Sequence, residues 1–257
     1  MEEIDRKKIK KYFIGKSQLL PVLLILVGIV MFSGKLAIGA LLILGGIGWF
    51  IYNKFSADLS GQGEVDKAVQ YEMEEAKKRA FQKLNVVGEQ VNLVEPVTLY
   101  GRGFEPESPT NTAGKSFLRK LFKRIILMRT DDPIAMMRFG ADGVLRHSLV
   151  KFTVFMFGES QLYIYYANVD LGTGLVYSEG THEMFYEDIN NISFSQDREK
   201  VYNYRKRKYV RVLFEQVQVH LSGCNYSTYM STDLDKSIVE SRFTGMRNLI
   251  RDKKNAN

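Results

Sequence analysis

The residues from Pro109 to Lys120, PTNTAGKSFLRK, contain the tripeptide Gly114-Lys115-Ser116, which could end a phosphate-binding loop. Such a loop needs the pattern G-x-x-x-x-G-K-[ST] between a strand and a helix, so that backbone N–H groups surround the phosphate. The position that should hold the first glycine is Pro109, which has no N–H to donate. The tripeptide is therefore interpreted as the start of a helix, and nucleotide binding is not predicted.

The residues that could perform catalysis are spread along the chain without a recognisable arrangement. The single cysteine, Cys224, cannot form an intramolecular disulfide and leaves no cysteine cluster for a metal. Glu187 and Asp188 are adjacent, and neighbours on a strand point to opposite faces, so they do not form a carboxylate pair. The histidines lack H-E-x-x-H spacing and an accompanying nucleophile elbow; they are His147, His182 and His220. We therefore predict a protein that is not an enzyme and needs no cofactor or metal.

Basic residues follow the tripeptide in the segment KSFLRKLFKRIILMR, residues 115–129. At about 100° per residue, its apolar residues fall on one half of a helix and its charges on the other. A basic amphipathic helix of this kind can bind the headgroup layer of anionic lipid. Two alternatives stay open: the apolar face packs on the chain's own domain, or RIILMR forms a strand. The candidate binding residues here are Arg119, Lys120, Lys123 and Arg124.

A second basic cluster, YRKRKYVR, spans residues 204–211. At a strand end or hairpin loop it could bind phospholipid headgroups or an acidic protein surface. It could equally be a solvated basic edge that discourages strand pairing. No nucleic-acid-binding module accompanies the charge, so nucleic acid is not predicted as a partner. The candidate residues are Arg205, Lys206, Arg207 and Lys208.

The N-terminal region contains two uncharged apolar runs, residues 17–34 and 36–53, separated by Lys35. As a helix, each run would extend about 27 Å, close to the hydrocarbon thickness of a bilayer. One helix through both runs would place Lys35 in lipid, whereas a hairpin leaves it in water. We therefore predict a transmembrane hairpin over residues 17–54. A buried hairpin of a globular domain, or a signal peptide in the first run, are the alternatives.

The basic residues around this hairpin predict its orientation. Residues 1–16 form a basic tail before the first run and Lys54 follows the second, whereas the connecting turn carries only Lys35. Basic residues accumulate on the cytoplasmic side of membranes. The prediction is a protein of the cell membrane with two spans and both termini in the cytoplasm.

The remaining chain divides into a linking segment and a strand-rich domain. Residues 55–85 combine a short flexible exit with a helix-like stretch that could pack on its own domain or form a dimerising stalk. Residues 86–257 alternate like short strands with turn residues between them, which favours an antiparallel barrel or sandwich. The expected strands include residues 150–157, 161–169, 174–182, 184–195, 209–214, 217–221 and 226–230. The segment TDLDKSIVESRFTGMRNLIRDKK predicts a C-terminal helix.

This order of strands closed by one amphipathic helix resembles the pleckstrin-homology (PH) fold. The step Tyr186-Glu187-Asp188-Ile189 is similar to a strand of bacterial PH-like domains, and GVLRHSLVKFTVFMFGESQLYIYY resembles their opening hairpin. The resemblance covers residues 136–252 and implies a domain that is commonly fused to membrane segments, often without an assigned activity. The predicted fold class is α+β: an N-terminal transmembrane helical hairpin followed by an antiparallel PH-like β-barrel or sandwich with a C-terminal capping helix.

These features predict a non-enzymatic, membrane-anchored adaptor or assembly protein at the cytoplasmic membrane face. The expected partners are the lipid bilayer, anionic phospholipid headgroups, and a protein partner or a second copy of the chain. The alternatives are an accessory subunit of a membrane transporter or enzyme complex, and a module that binds anionic phospholipid.

Overall fold

A computed structural model describes residues 4–14, 19–32, 34–55, 61–85, 95–104, 135–203, 208–223, 225–231 and 236–256. The helices are α1 (Arg6–Ile14), α2 (Leu19–Phe32), α3 (Leu36–Phe55), α4 (Gln62–Leu84) and α5 (Lys236–Ala256). The strands are β1 (Val97–Arg102), β2 (Met137–Phe139), β3 (Leu145–His147), β4 (Leu149–Phe157), β5 (Gln161–Asp170), β6 (Val176–Phe185), β7 (Ile189–Asn203), β8 (Lys208–Leu221) and β9 (Asn225–Met230). A turn of 3₁₀ helix, Tyr186–Asp188, joins β6 to β7.

The strands form two main antiparallel sheets and a short ribbon. The first sheet has the order β1-β4-β5-β6, the second has the order β7-β8-β9, and β2 pairs with β3. The two sheets meet beside β1 and β9, where the Ser231 N–H donates to the Tyr100 carbonyl at 2.7 Å. A side chain at Gly101 would collide with the backbone of Tyr229 at this corner. Glycine at position 101 therefore permits the close approach of the two sheets.

Strand β4 lies at the centre of the molecule because both of its faces are covered. Its sequence, LVKFTVFMF, is an almost unbroken apolar run, as expected of a strand buried on both sides. Phe155 and Phe157 belong to the core that includes α5, whereas Phe152, Val154 and Met156 belong to the core that includes α1 and α4. The alternation of side chains along one strand thus divides the interior into two cores.

The first core lies between the two sheets and is closed by α5. Phe243 of α5 packs edge-on against Phe155 and Phe194, with ring centroids 5.6 and 5.2 Å apart. Phe243, Met246 and Ile250 are buried and recur at helical spacing, so one face of α5 supplies the apolar cover.

The second core lies on the opposite face of the first sheet, beneath α1 and α4. Helix α4 therefore packs on its own domain, which is one of the two alternatives that its sequence leaves open. Its buried face consists mostly of small residues, which lets the helix lie close to the sheet; they include Val65, Ala68, Ala76 and Ala80. Helix α1, which was not predicted from the sequence, adds Ile9, Tyr12 and Phe13 to this core.

Helices α2 and α3 pack against each other as an antiparallel hairpin joined at Gly34 and Lys35. The prediction that this hairpin is transmembrane is corrected: none of the helices in the described residues is both long enough and apolar enough to cross a membrane. Helix α2 has 14 residues and extends about 21 Å, short of the roughly 30 Å hydrocarbon core. The predicted fold class is therefore wrong in its transmembrane hairpin. The predicted localisation as a two-span protein of the cell membrane with cytoplasmic termini is wrong for the same reason.

Candidate functional site

Most of the predicted binding residues lie outside the described part of the chain. The residues concerned are Arg119, Lys120, Lys123, Arg124, Arg205, Lys206 and Arg207, together with Cys224 and the tripeptide Gly114-Lys115-Ser116. Lys208 is described: it begins β8, is exposed, and pairs across the ladder with Asn203. The geometry of a candidate site therefore comes from other residues.

His220 on β8 has the most ordered polar surroundings of the three histidines. Its Nε2 lies 2.7 Å from Ser193 Oγ, and its Nδ1 lies 3.1 Å from Asn225 Oδ1. Because an amide oxygen can only accept, Nδ1 carries the proton and Nε2 accepts from the Ser193 hydroxyl. This order matches the nucleophile, base and orienting group of a serine hydrolase. The three side chains lie on the outward face of the second sheet, opposite its buried residues Ile192, Val219 and Tyr226.

The other two histidines pack against aromatic rings. His147 is buried on β3, with its ring centroid 6.2 Å from those of Phe104 and Phe214. His182 on β6 stacks on Tyr166 with centroids 5.6 Å apart. Within the described ranges, no group of three or more His, Cys, Asp or Glu side chains could hold a metal ion.

Backbone contact holds the two helices of the α2–α3 hairpin together. A Cβ atom at Gly39 would lie 2.6 Å from the backbone N and Cα of Phe32 and 2.8 Å from the Gly28 carbonyl oxygen. A Cβ atom at Gly46 would lie 3.0 Å from the Pro21 carbonyl oxygen. These glycines let the backbones touch, because any larger residue would fill the space between them. Ile25 and Ile43 pack against Gly46 and Gly28 at the seam, and many of the other large side chains of the hairpin are exposed.

The outer surface of the hairpin is apolar and open. Leu41 and Leu44 of α3 are 73% and 69% exposed. Other large exposed side chains of the two helices are Leu20, Leu23, Leu26, Val27, Ile29, Val30, Phe32, Leu36, Ile38, Ile47, Trp49, Ile51 and Tyr52. Residues 17–55 contain no Asp or Glu, and their basic residues are Lys35 and Lys54. A contiguous apolar surface of this kind marks an interaction site.

Both ends of the hairpin join the rest of the molecule at α1. Helix α2 begins at Leu19, shortly after α1 ends at Ile14. The returning chain reaches α1 at Gly61, where a Cβ atom would lie 2.6 Å from the Lys8 carbonyl oxygen and 2.8 Å from Tyr12 Cβ. Because Tyr12 is buried in the second core, Gly61 and the start of α4 are held against that core.

A pocket of about 330 Å³ lies beside the same helix. It is lined by Arg6, Lys7 and Lys10 of α1 and by Gly172, Thr173 and Leu175 of the turn between β5 and β6. Asp170 shapes this turn: its Oδ1 accepts the Gly172 N–H at 2.7 Å, and its carbonyl oxygen accepts the Gly174 N–H at 2.7 Å. Gly174 has a φ of 78°, in the left-handed region that favours glycine. The turn and α1 are connected by Arg6 Nη1, which donates to the Leu171 carbonyl oxygen at 2.9 Å.

Two buried carboxylates lie behind this pocket. Glu72 of α4 is 2% exposed and accepts from Arg6 Nη2 at 2.8 Å and from Arg79 Nη2 at 3.2 Å. Asp170 is fully buried and faces into its own turn. Neither carboxylate lines the pocket: Glu72 is paired with Arg6, and the remaining charged residues of the lining are Lys7 and Lys10.

A second ionic contact joins α4 to the β2–β3 ribbon. Arg146 of β3 lies between Asp66 of α4 and Asp142 of the ribbon's turn, at 2.7 Å from each carboxylate. The hydrogen bond from Arg146 lowers the pKa of Asp142 to about 2. This pairing keeps the ribbon against the start of α4, where Gln62 also donates to Asp142 at 3.0 Å.

Between the two sheets, Lys151 lies over two aromatic rings. Its Nζ is 5.1 Å from the ring centroid of Tyr166 and 5.0 Å from that of Tyr226. Burial lowers the pKa of Lys151 and raises the pKa of Tyr226 to about 12. The ring faces stabilise the ammonium group there, so this cluster helps to join the sheets.

Sequence reasoning missed the basic pocket because its two halves are far apart in the chain. In the sequence, the basic residues of α1 predict only an orientation, and residues 170–173 only separate two predicted strands. The contact between Arg6 and Leu171 spans 165 positions, and no local pattern predicts it. The spacing of Ile9, Tyr12 and Phe13 could have revealed α1, since these residues recur at i, i+3 and i+4.

Comparison with other proteins adds no further guide to function. No protein family, no curated protein and no solved structure matches the chain. The resemblance to bacterial PH-like domains therefore stays a prediction, and the function has to be argued from the hairpin and the basic pocket at its base.

Proposed function

We propose that this protein is a non-enzymatic adaptor that contacts the lipid bilayer through the α2–α3 hairpin and presents its α+β body to a protein partner. The observation that carries the proposal is the apolar outer surface of the hairpin. Complete burial of one Leu or Ile side chain contributes about 1.5–3 kcal/mol relative to its exposure. The many exposed side chains of the hairpin therefore strongly favour its transfer out of water.

The distribution of these side chains favours lipid over a single protein surface. A protein interface has an apolar centre bordered by a polar rim. At about 100° per residue, the exposed apolar side chains of α3 cover more than half of the helix circumference, and those of α2 add to them. Contact with lipid does not require a helix to cross the bilayer, and α2, with 14 residues, has a length found in re-entrant and interfacial segments.

The body has a surface suited to a protein partner. Strand β6 is at the edge of the first sheet and is exposed along most of its length. Leu175, Val176 and Phe185 add exposed apolar side chains next to this edge. Another chain can add a strand to such an edge and bind through main-chain hydrogen bonds. These features support a binding role for the body.

The Ser193–His220–Asn225 arrangement is the strongest argument for an enzyme instead. Its members lie on the outward face of a sheet, where a substrate would be open to water rather than held against the reacting atoms. A fluorophosphonate probe is therefore expected to leave Ser193 unlabelled. Ser195 is the control serine within the same chain, because it lies two residues further along the same face of β7. Its hydroxyl donates to Gln216 Oε1 at 3.3 Å rather than to a histidine. Selective labelling of Ser193 would overturn the non-enzymatic part of the proposal.

Trp49 allows a direct test of lipid contact. It is the single tryptophan of the chain, and it lies partly exposed on α3. When the full chain is mixed with phosphatidylcholine vesicles, we expect the emission to shift to shorter wavelength. We also expect lipids with brominated acyl chains to quench it, because bromine quenches only on close contact.

The matched control moves the probe to the body. In the variant Trp49→Phe with Phe185→Trp, the tryptophan lies at the end of β6, and brominated acyl chains should not quench it. If Trp49 stays fully accessible to acrylamide in the presence of vesicles, the hairpin does not contact lipid. Protection of Trp49 only in a purified complex with another protein would favour the alternative, an accessory subunit whose hairpin packs on its partner.

A further inference from the structure

We propose that the pocket between α1 and the β5–β6 turn binds a negatively charged phosphate group. This inference deepens the proposed function, and the lipid bilayer as the source of the phosphate rests on that function. The site differs from both basic clusters predicted from the sequence, since it uses residues of α1 and of the turn that follows β5.

The lining supplies both charges and a hydroxyl. Lys7 and Lys10 place two ammonium groups around one space, beside Arg6, whose guanidinium already donates to Glu72 and to the Leu171 carbonyl oxygen. Thr173 Oγ1 accepts the Leu175 N–H at 3.2 Å, so its own O–H can donate to a ligand. Hydrogen bonds from cationic groups to phosphate oxygens are among the strongest that proteins form.

The shape of the turn keeps the space open. A Cβ atom at Gly172 would lie 2.8 Å from Lys10 Cγ, and one at Gly174 would lie 3.0 Å from Arg6 Nη2. Both glycines therefore let the cationic side chains lie against the turn. The resulting volume of about 330 Å³ is within the range of ligand pockets, about 300–1,000 Å³.

The position of the pocket fits the headgroup layer. Lys10 precedes Ile14, the last residue of α1, by about one helical turn, or roughly 6 Å along the axis. The headgroup region adds roughly 5–8 Å to each side of the hydrocarbon core. Because Lys10 precedes Leu19, the first residue of α2, by nine positions, a hairpin in contact with acyl chains would keep the pocket near the membrane surface.

Protection of lysine amines tests the site in the full chain. The chain is labelled with an amine-reactive ester, and the reaction of each lysine is followed by mass spectrometry. The three arms contain phosphatidylglycerol vesicles, phosphatidylcholine vesicles, or inorganic phosphate without vesicles. We expect phosphatidylglycerol to slow the labelling of Lys7 and Lys10 about fivefold. The attraction of one lysine to an anionic surface is about 1 kcal/mol, which corresponds to about a fivefold change in the free amine. Lys200, an exposed lysine of the second sheet, should react equally in all arms.

A steric variant separates the pocket from a general effect of charge. Gly172→Leu fills the space without changing any charge, and it should remove the protection of Lys7 and Lys10. Circular dichroism verifies that this variant is folded. The control Lys200→Gln with Arg211→Gln removes two charges from the second sheet and should leave the protection intact.

The outcomes distinguish this inference from the proposed function. Protection by inorganic phosphate alone would support the pocket and show that the phosphate does not come from lipid. Protection by phosphatidylglycerol that extends equally to Lys200, or protection that persists in Gly172→Leu, would overturn the pocket while leaving lipid contact by Trp49 unaffected. Absence of protection in every arm would also overturn it.

Discussion

The α2–α3 hairpin and the α+β body are packed in opposite ways. In the body, large side chains such as Phe155 and Phe243 point inward and touch one another, while polar groups face out. In the hairpin, glycines bring the two backbones together, while large side chains such as Leu41 point outward. The large apolar side chains of the body are therefore buried against one another, whereas the exposed ones of the hairpin can be buried only against another molecule. The difference shows that composition alone does not determine where apolar side chains are buried.

The largest expected effect is the loss of a core side chain in the body. Phe155→Ala should lower the free energy of unfolding by about 3–5 kcal/mol, because it removes ring contacts with Phe243 and Tyr226 and leaves a cavity. The matched substitution in the hairpin is Leu41→Ala, at a side chain that is 73% exposed, which should change this free energy by less than about 0.5 kcal/mol. Urea unfolding followed by circular dichroism measures both. Equal losses would mean that the hairpin is packed like the body.

An intermediate effect is expected at the hairpin seam. Gly39→Ala should destabilise the packing of α2 on α3 by about 1–3 kcal/mol, because the new Cβ atom meets backbone that cannot rotate away. Gly45→Ala on the same helix meets nothing within 4 Å, and it should stabilise α3 by up to about 1 kcal/mol through helix propensity. Thermal melting of the helical signal at 222 nm compares the two variants. A hairpin that tolerates both substitutions equally would not be held by backbone contact.

The smallest expected effect is a pH dependence confined to the body. The pKa of Asp142 is lowered to about 2 by its hydrogen bond from Arg146, against an ordinary value of 3.8. Its contribution to stability is therefore complete above about pH 5 and is lost progressively as the pH falls towards about 2. The effect is modest, since the Asp142 side chain is 39% exposed and solvent screens the pair. The hairpin has no carboxylate in residues 17–55 and should not respond.

The variant Asp142→Asn tests the assignment of this acid sensitivity. The urea midpoint of the natural chain should fall between about pH 5 and pH 2.5, and the fall should be smaller in the variant. An unchanged fall would assign the acid sensitivity to other carboxylates of the body.

The sequence predicts those strands and helices whose pattern of polar and apolar residues lies within the element itself. Strands β4, β5 and β9 lie close to segments that alternate or form short apolar runs, and α5 covers most of its predicted segment. Strand β8 was predicted as two strands because Glu215 and Gln216 look like a turn. It is instead continuous, since Gln216 faces outward and pairs with Ser195 of β7. Polar residues on the open face of a sheet can thus imitate a turn.

The errors at the N-terminus have a different cause. Uncharged length predicted a transmembrane hairpin, but none of the helices in the described residues is both long enough and apolar enough to cross a membrane. Lysines and arginines dominate the sequence of α1, so its apolar face, which includes the buried Ile9 and Tyr12, was not recognised as part of a core helix. The basic pocket depends on where the β5–β6 turn lies relative to α1, and such long-range placement is decided by packing of the second core rather than by local sequence.

The contact of Gly61 with α1 makes the body a folding unit that is discontinuous in sequence. Helices α1 and α4 cover the same face of the first sheet, although the hairpin lies between them in the sequence. The hairpin is therefore an insertion between two helices that pack together. A chain shortened to begin at α4 would discard Ile9 and Tyr12 and open one face of the first sheet to water. Joining Ile14 to Gly61 through a short linker would excise the hairpin and leave that layer complete. The natural borders of this folding unit are therefore Ile14 and Gly61, on either side of the hairpin, rather than any single point along the chain.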